Sequence, residues 1–173
     1  MKDFILIRLF YVFTFSILLI YPVQAIQDST SLLEVAQRDI PLAFENEKEC
    51  VTLYDKINGE KNPGTLLKGY IGGVNIARSR HAPMKDKRDY LRKGITLLEE
   101  AIKASPGNTE LLFLRMTIQI NLPSFIGYNK NLKADKKFVF ENYDSSSPVL
   151  QKRISSFVNS SSYFTPEEKA LVN

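Results

Sequence analysis

One cysteine, one histidine and no tryptophan occur in 173 residues. A single thiol excludes any intramolecular disulfide, and one Cys with one His is too small a donor set for a Cys/His zinc site. Nucleophilic catalysis of the Ser-His-Asp or Cys-His kind would have to use His81, the only imidazole, which ends a basic helical stretch. A histidine in that position serves more readily as a charge partner of the helix C-terminus than as a catalytic base. Glu99 and Glu100 are paired carboxylates, but consecutive helical residues point about 100° apart and do not converge on one substrate. No phosphate-binding glycine loop, HExxH, CxxC or EF-hand spacing is present. The chain is therefore expected to be no enzyme, to hold neither metal nor cofactor, and to have no nucleic-acid partner. Glycine and proline number only 8 each, and 44% hydrophobic against 24% charged residues excludes a collagen-like repeat and a disordered polyelectrolyte. Strand signals are almost absent as well, since no strict alternation over about six residues is bounded by a two-residue Gly or Asn turn.

What is present begins with an export signal. Lys2 and Arg8 flank an uncharged run of twelve residues, Leu9 to Ile20. As a helix such a run covers about 18 Å, short of the ~30 Å hydrocarbon core of a bilayer. Pro22 follows, then Val23-Gln24-Ala25 with small residues at the last and third-last positions, which predicts cleavage after Ala25. The chain then divides into a signal peptide, 1–25, and one domain, 26–173. The alternative is an uncleaved membrane anchor, because apolar character extends from Phe4 with only Arg8 interrupting it. No cysteine follows the run, so lipoprotein acylation has no thiol to use. Cys50 is expected to be either a buried small hydrophobe or a point of intermolecular pairing.

Charge is unevenly spread. Residues 26–60 carry 3 bases and 8 acids, residues 61–137 carry 15 and 6, and residues 138–173 carry 3 and 4. The excess peaks at Arg78, Arg80, Lys85, Lys87, Arg88, Arg92 and Lys93, a patch suited to phospholipid head groups or an acidic polymer. Alternatively, the acidic N-terminal helices simply pack beside the basic ones.

The remaining periodicities are helical. Beyond a linker at 27–30, Ser31 and Glu34 form a capping box that opens a short helix ending before Pro41. A second helix is predicted over 42–57, with Phe44, Cys50, Val51, Tyr54 and Ile57 on one face and Asn58-Gly59 closing it. Asn62 and Pro63 are read as cap and first residue of a third helix reaching His81, with Leu66, Leu67, Tyr70, Ile71, Val74 and Ala77 as its stripe. Gly69, Gly72 and Gly73 lie in it at a cost of about 1 kcal/mol each, which predicts a neighbouring helix packed close to the backbone. A fourth helix, 85–105, carries Leu91, Ile95, Leu98 and Ile102. Asn108 caps a fifth that ends near Asn121, a sixth is predicted over 129–142, Ser147-Pro148 opens a seventh, and Thr165-Pro166-Glu167-Glu168 caps a final short one. Seven to eight short helices in antiparallel succession make an all-α fold, joined by connections of about two to eight residues.

Within the fourth helix and its exit, Gly94, Leu98, Ala101 and Pro106 follow a small, bulky, small, proline spacing. This resembles the second helix of a tetratricopeptide repeat and its passage into the next repeat, over roughly residues 65–122. The resemblance implies an antiparallel helix-hairpin stack that binds a protein or peptide on a concave face. It departs from the family around residues 81–85, where the helix connection is longer, and beyond Asn121.

The most unusual segment is NLPSFIGYNKN, residues 121–131. Either Tyr128, Asn129 and Asn131 present contacts to a partner, as loops on rigid scaffolds do, or Phe125, Ile126 and Tyr128 plug the stack while Asn129 caps the sixth helix. Arg115, inside LLFLRMTIQI, either faces the concave surface or pairs with a carboxylate such as Glu99. The expected function is that of an exported, non-enzymatic helical scaffold binding a protein or peptide in the periplasm or cell envelope, through helices three and five and this loop. The alternative is an envelope-associated protein held to anionic membrane or polymer by segment 78–93.

Overall fold

The computed structural model describes the backbone of residues 20–172 and the side chains of residues 32–172. Among these the fold is all-α, with eight α-helices and no strand. They are α1 (Ile20–Glu45), α2 (Glu47–Ile57), α3 (Thr65–His81), α4 (Met84–Ala104), α5 (Thr109–Asn121), α6 (Leu132–Glu141), α7 (Pro148–Ser160) and α8 (Pro166–Ala170). A single 3-10 turn, Ser124–Ile126, lies between α5 and α6. Of the expected leader, residues 1–19 lie outside the described residues.

Caps read from the sequence start three helices as expected. Asn108 accepts the Leu111 N–H at 3.0 Å, Ser147 accepts that of Leu150 at 3.3 Å, and Thr165 with Glu168 forms a reciprocal capping box. Other boundaries differ. The expected linker at 27–30 is helical, and Pro41 sits inside α1 rather than beyond its end. Proline removes the N–H that would bond the Gln37 carbonyl, a local cost of about 3 kcal/mol in a helix interior. A stripe of Leu33, Ala36, Ile40, Ala43 and Phe44, in or against the core, holds α1 helical through that defect. The break falls instead at Asn46, whose side chain accepts the N–H groups of Lys48 and Glu49 at 2.9 and 3.2 Å. The predicted helix 42–57 is thereby split by an N-cap with Glu49 three residues on, a signature visible in the sequence.

Two more starts shift. The Asn62 N–H goes to the Glu60 carboxylate at 3.2 Å, and Gly64 takes the cap position of α3 without a side-chain bond. The sixth helix begins at Leu132, so Asn129 caps nothing and Asn131 holds the cap position without a side-chain bond. Connections range more widely than expected, from the lone Asn46 to residues 122–131.

α3 is the centre of the molecule. It is buried almost all round, over Leu67, residues 69–77 and Ser79, rather than along one stripe. Gly73 faces Ile40 of α1 on one side and Leu114 and Ile118 of α5 on another. The His81 Nε2 lies 3.1 Å from the Ala43 carbonyl, so α1 and α3 end together and run parallel. Gly69 meets Leu111, and α5 therefore runs parallel to α3 too. α4 returns antiparallel, pairing Ala101 with Gly69, Leu98 with Gly72 and Gly94 with Ile76. At this crossing a Cβ on Gly94 would sit 2.6 Å from the Gly72 carbonyl oxygen and 2.7 Å from the Ile76 nitrogen. The two backbones touch, as the glycines of α3 predict. α2 lies across the end of this hairpin, with Asn75 Nδ2 donating to Asn58 Oδ1 at 2.9 Å and Tyr54 edge-on to Tyr90 at 5.7 Å. α7 and α8 close the far side through a run of ring contacts, Phe113–Phe157–Phe164–Phe140.

Candidate functional site at the end of α5

α5 carries two polar residues one turn apart, Arg115 and Gln119, both buried among Leu111–Met116 and Ile118. Arg115 is 7% exposed and meets Asp135 of α6, itself 2% exposed, through two parallel hydrogen bonds of 2.7 Å. Its third arm donates to Glu99 Oε2 of α4 at 2.7 Å, and the Tyr128 hydroxyl donates to the other Glu99 oxygen. Burial works against the Arg115 charge, but the Asp135 hydrogen bonds and charge outweigh it and hold the guanidinium protonated. Burial, and then the hydrogen bond to Glu99, push the Tyr128 hydroxyl far above its usual range, so it stays a neutral donor. One arginine thus ties α4, α5, α6 and the following loop together. Of the two sequence readings of Arg115, the carboxylate pairing is the one present, and Asp135 joins Glu99 in it.

Beside this network residues of the 122–131 segment form one wall of an open pocket of about 180 Å³. Gly127, at φ 71°, ends the 3-10 turn in the left-handed region and turns the chain so that Tyr128 points inward. Tyr128 and Asn129 line the cavity with Leu122, Leu132, Tyr163 and Gln119. Both Gln119 amide atoms are buried without a hydrogen-bond partner. Leaving a buried polar group unpaired costs about 1–3 kcal/mol. Phe125, next in sequence to the lining residue Ser124, is 85% exposed, so it does not plug the stack, and Tyr163, in the lining, is 44% exposed.

The predicted contact residues therefore separate. Arg115 is engaged internally, Tyr128 and Asn129 reach the cavity, and Asn131 is exposed outside its lining. Sequence reasoning missed Gln119, Tyr163 and Asp135. Gln119 was detectable, since it lies four residues after Arg115 in an otherwise apolar run and shares its helical face. Asp135 was not, because KADKK reads as an ordinary solvated face.

The basic patch spans the α3–α4 turn. Arg78 is half-buried, 3.8 Å from Glu47 and with its guanidinium 5.6 Å from the centre of the Tyr90 ring. Lys87 donates to the Arg80 carbonyl at 3.1 Å, Arg92 pairs with Asp89 at 2.9 Å, and Lys93 donates to Asn58 at 3.1 Å. Arg80, Lys85 and Arg88 are exposed, and so is Met84 between them in sequence, at 82%. Among the described residues Arg78 alone of this patch meets an acid from the N-terminal helices.

Glu110 forms a second polar cluster, accepting from Tyr70 at 2.6 Å, from Gln37 at 2.8 Å and from Arg153. The Arg153 guanidinium also lies 5.6 Å from the Tyr70 ring centre and 5.9 Å from that of Phe113. Burial raises the Tyr70 hydroxyl far above its ordinary range. The carboxylates of Glu99, Asp135 and Glu110 are all held by arginine. Among the described residues no group of three or more His, Cys, Asp or Glu side chains could hold a metal ion, and no helix is long and apolar enough to cross a membrane.

Fold and site define an all-helical protein organised around a glycine-mediated α3–α4 hairpin, with a neutral cavity at the end of α5. No protein-family model, curated protein or solved structure matches the chain.

Proposed function

We propose that this chain is an exported, non-enzymatic helical scaffold that binds a protein or peptide of the periplasm or cell envelope at the α5 cavity. The observation that carries this reading is an open pocket that has the exposed Tyr163 in its lining and the exposed Phe125 next in sequence to its lining residue Ser124. Exposed aromatic side chains around a pocket supply contact area at small cost in conformational entropy. The tetratricopeptide-like reading belongs to the same proposal. Its support is that α1, α3 and α5 run parallel and side by side while α4 returns between α3 and α5, as stacked helical hairpins do.

The test places the photocrosslinker p-benzoylphenylalanine at position 125 of the full chain in living cells, with position 149, also exposed, as control. Expected is a discrete partner adduct at 125, absent at 149, on a bait whose N-terminus is Ile26. Equal labelling at both positions refutes the site, and a bait beginning at Met1 refutes the cleaved leader.

A second reading is favoured by Met84, which stands exposed among Arg80, Lys85 and Arg88. An exposed apolar side chain flanked in sequence by exposed cations suits an anionic lipid surface. That reading requires co-sedimentation with phosphatidylglycerol vesicles that is lost in high salt and in a Lys85→Glu, Arg88→Glu variant; salt-independent sedimentation overturns it.

A further inference from the structure

The pocket at the end of α5 and the surface beside it differ in charge. No charged side chain lines the pocket, so a charge placed inside it would lack a counter-charge. Its wall is mainly apolar, from Ile120, Leu122, Leu132 and the Tyr163 ring. The volume, about 180 Å³, exceeds the roughly 150 Å³ in which an apolar cavity holds benzene, which leaves room for one leucine or phenylalanine side chain. Outside the pocket the same stretch of chain is cationic. Residues 120–140 carry Lys130, Lys133, Lys136 and Lys137 against one acid, Asp135, and that acid is buried on Arg115. Lys130 follows the lining residue Asn129, and Lys133 follows the lining residue Leu132. Both are exposed, and among the described residues neither side chain meets an acid or a hydrogen-bond partner. Lys136 Nζ is bonded to Glu168 and lies 5.3 Å from the centre of the Tyr163 ring, so the lysines of α6 reach the lining. Lys133 stands in the first turn of α6, where the helix dipole adds to its charge instead of offsetting it.

We infer that this surface docks an acidic peptide segment of a partner protein. One uncharged apolar side chain enters the pocket, and Asp or Glu residues flanking it in the peptide meet Lys130 and Lys133. The pocket selects the anchor and the lysines select the charge around it, so neither a basic peptide nor a uniformly polar one satisfies both. Exposed ion pairs are individually weak, and the lysines therefore sharpen the choice of partner more than they add affinity. The inference rests on the binding site proposed above and adds the chemistry of the partner to it.

The probe is the capped peptide acetyl-Asp-Glu-Leu-Glu-Asp-amide, titrated at low salt into the isotopically labelled full chain. The Tyr128 and Tyr163 rings and the backbone amides of Lys130, Leu132 and Lys133 are followed by NMR. A ligand of this size is expected to bind with a Kd on the order of 100 μM. Replacing its acids by Asn and Gln should weaken binding about threefold, and replacing its leucine by glycine about tenfold. High salt should bring the acidic peptide down to the level of the neutral one. The double variant Lys130→Glu, Lys133→Glu should bind about tenfold more weakly with an unchanged Tm, since neither lysine holds a partner within the described fold. Equal binding of the acidic and neutral peptides, or undiminished binding by the double variant, overturns the inference. So does the absence of shifts with every peptide; if phosphatidylglycerol vesicles then bind the parent and not the double variant, the lysines belong to a lipid surface instead. The crosslink at position 125 separates the two claims. An adduct there that is undiminished in the double variant refutes the acidic partner alone, and absence of both adduct and peptide shifts refutes the binding site itself.

Discussion

Gly94 and Gly73 should respond in opposite directions to the same substitution. Alanine in a helix interior is favoured over glycine by about 1 kcal/mol, so each change begins with that gain. At Gly73 the new methyl meets Ile40 Cδ1 at 3.4 Å and Leu114 Cδ1 at 3.5 Å, which is ordinary contact with flexible side-chain ends. At Gly94 it meets the Gly72 carbonyl oxygen at 2.6 Å and the Ile76 nitrogen at 2.7 Å, and no rotamer change moves either atom. To reach 3.4 Å the α3 and α4 backbones must part by about 0.8 Å. A gap of 0.5–1 Å forfeits roughly a quarter to a half of the dispersion well along a contact, and overpacking costs about 1–3 kcal/mol, here at its upper end because backbone is involved. The net expectation is a loss of about 2 kcal/mol for Gly94→Ala, or a Tm lowered by about 4–8 °C in a chain of this length. For Gly73→Ala it is a gain of about 0.5–1 kcal/mol. Urea denaturation followed by circular dichroism, with the m-value unchanged, reads both. A Gly94→Ala midpoint at or above that of the parent, or both variants moving the same way, refutes the backbone-contact reasoning.

Removing Asp135 with Asp135→Ala leaves the Arg115 charge buried without its bidentate partner and should destabilise by about 3–5 kcal/mol. Arg115→Met together with Asp135→Leu should recover most of that, and a double variant as unstable as the single one contradicts the account. Burial pushes the Cys50 thiol up to about 11 from 9.0. A raised folded-state value means that the stability from keeping this thiol neutral is fully present below pH 9.0 and is lost as pH rises toward about 11. The stability of the parent relative to Cys50→Ala should fall across that window, and a flat difference refutes the burial effect. At about pH 8 the native thiol should react with Ellman's reagent only as fast as the chain unfolds, so rapid stoichiometric labelling is the contrary result. Pro41→Ala should raise the Tm by restoring the N–H that bonds the Gln37 carbonyl, because Pro41 itself is exposed and packs little. A lowered Tm would mean that the ring makes a necessary contact.

Much of the helical layout was legible because it depends on neighbours a few residues apart. Asn108, Ser147-Pro148 and Thr165-Pro166-Glu167-Glu168 act on N–H groups within one turn, and each starts its helix where expected. Pro41 misled for the complementary reason: its local cost is fixed, but Ile40 and Ala43 anchor α1 against distant helices, and their burial outweighs it. At the candidate site, Tyr128 and Asn129 could be singled out from composition, while their neighbours Gln119 and Tyr163, 44 residues apart in sequence, could not be joined.

From the sequence alone came the all-α class, the helix starts at Asn108, Ser147-Pro148 and Thr165-Pro166 and the expectation of a close helix crossing at the glycines of α3. These follow from dihedral preferences and short-range hydrogen bonds, which any chain carrying those residues shares. Only the tertiary structure decided that Gly94 of α4 meets Gly72, that Asp135 is the carboxylate buried on Arg115, and that the Gln119 amide is buried unpaired. Burial and pairing at a point depend on which distant elements arrive there, and that depends on the packing of the whole chain rather than on the residues near the point.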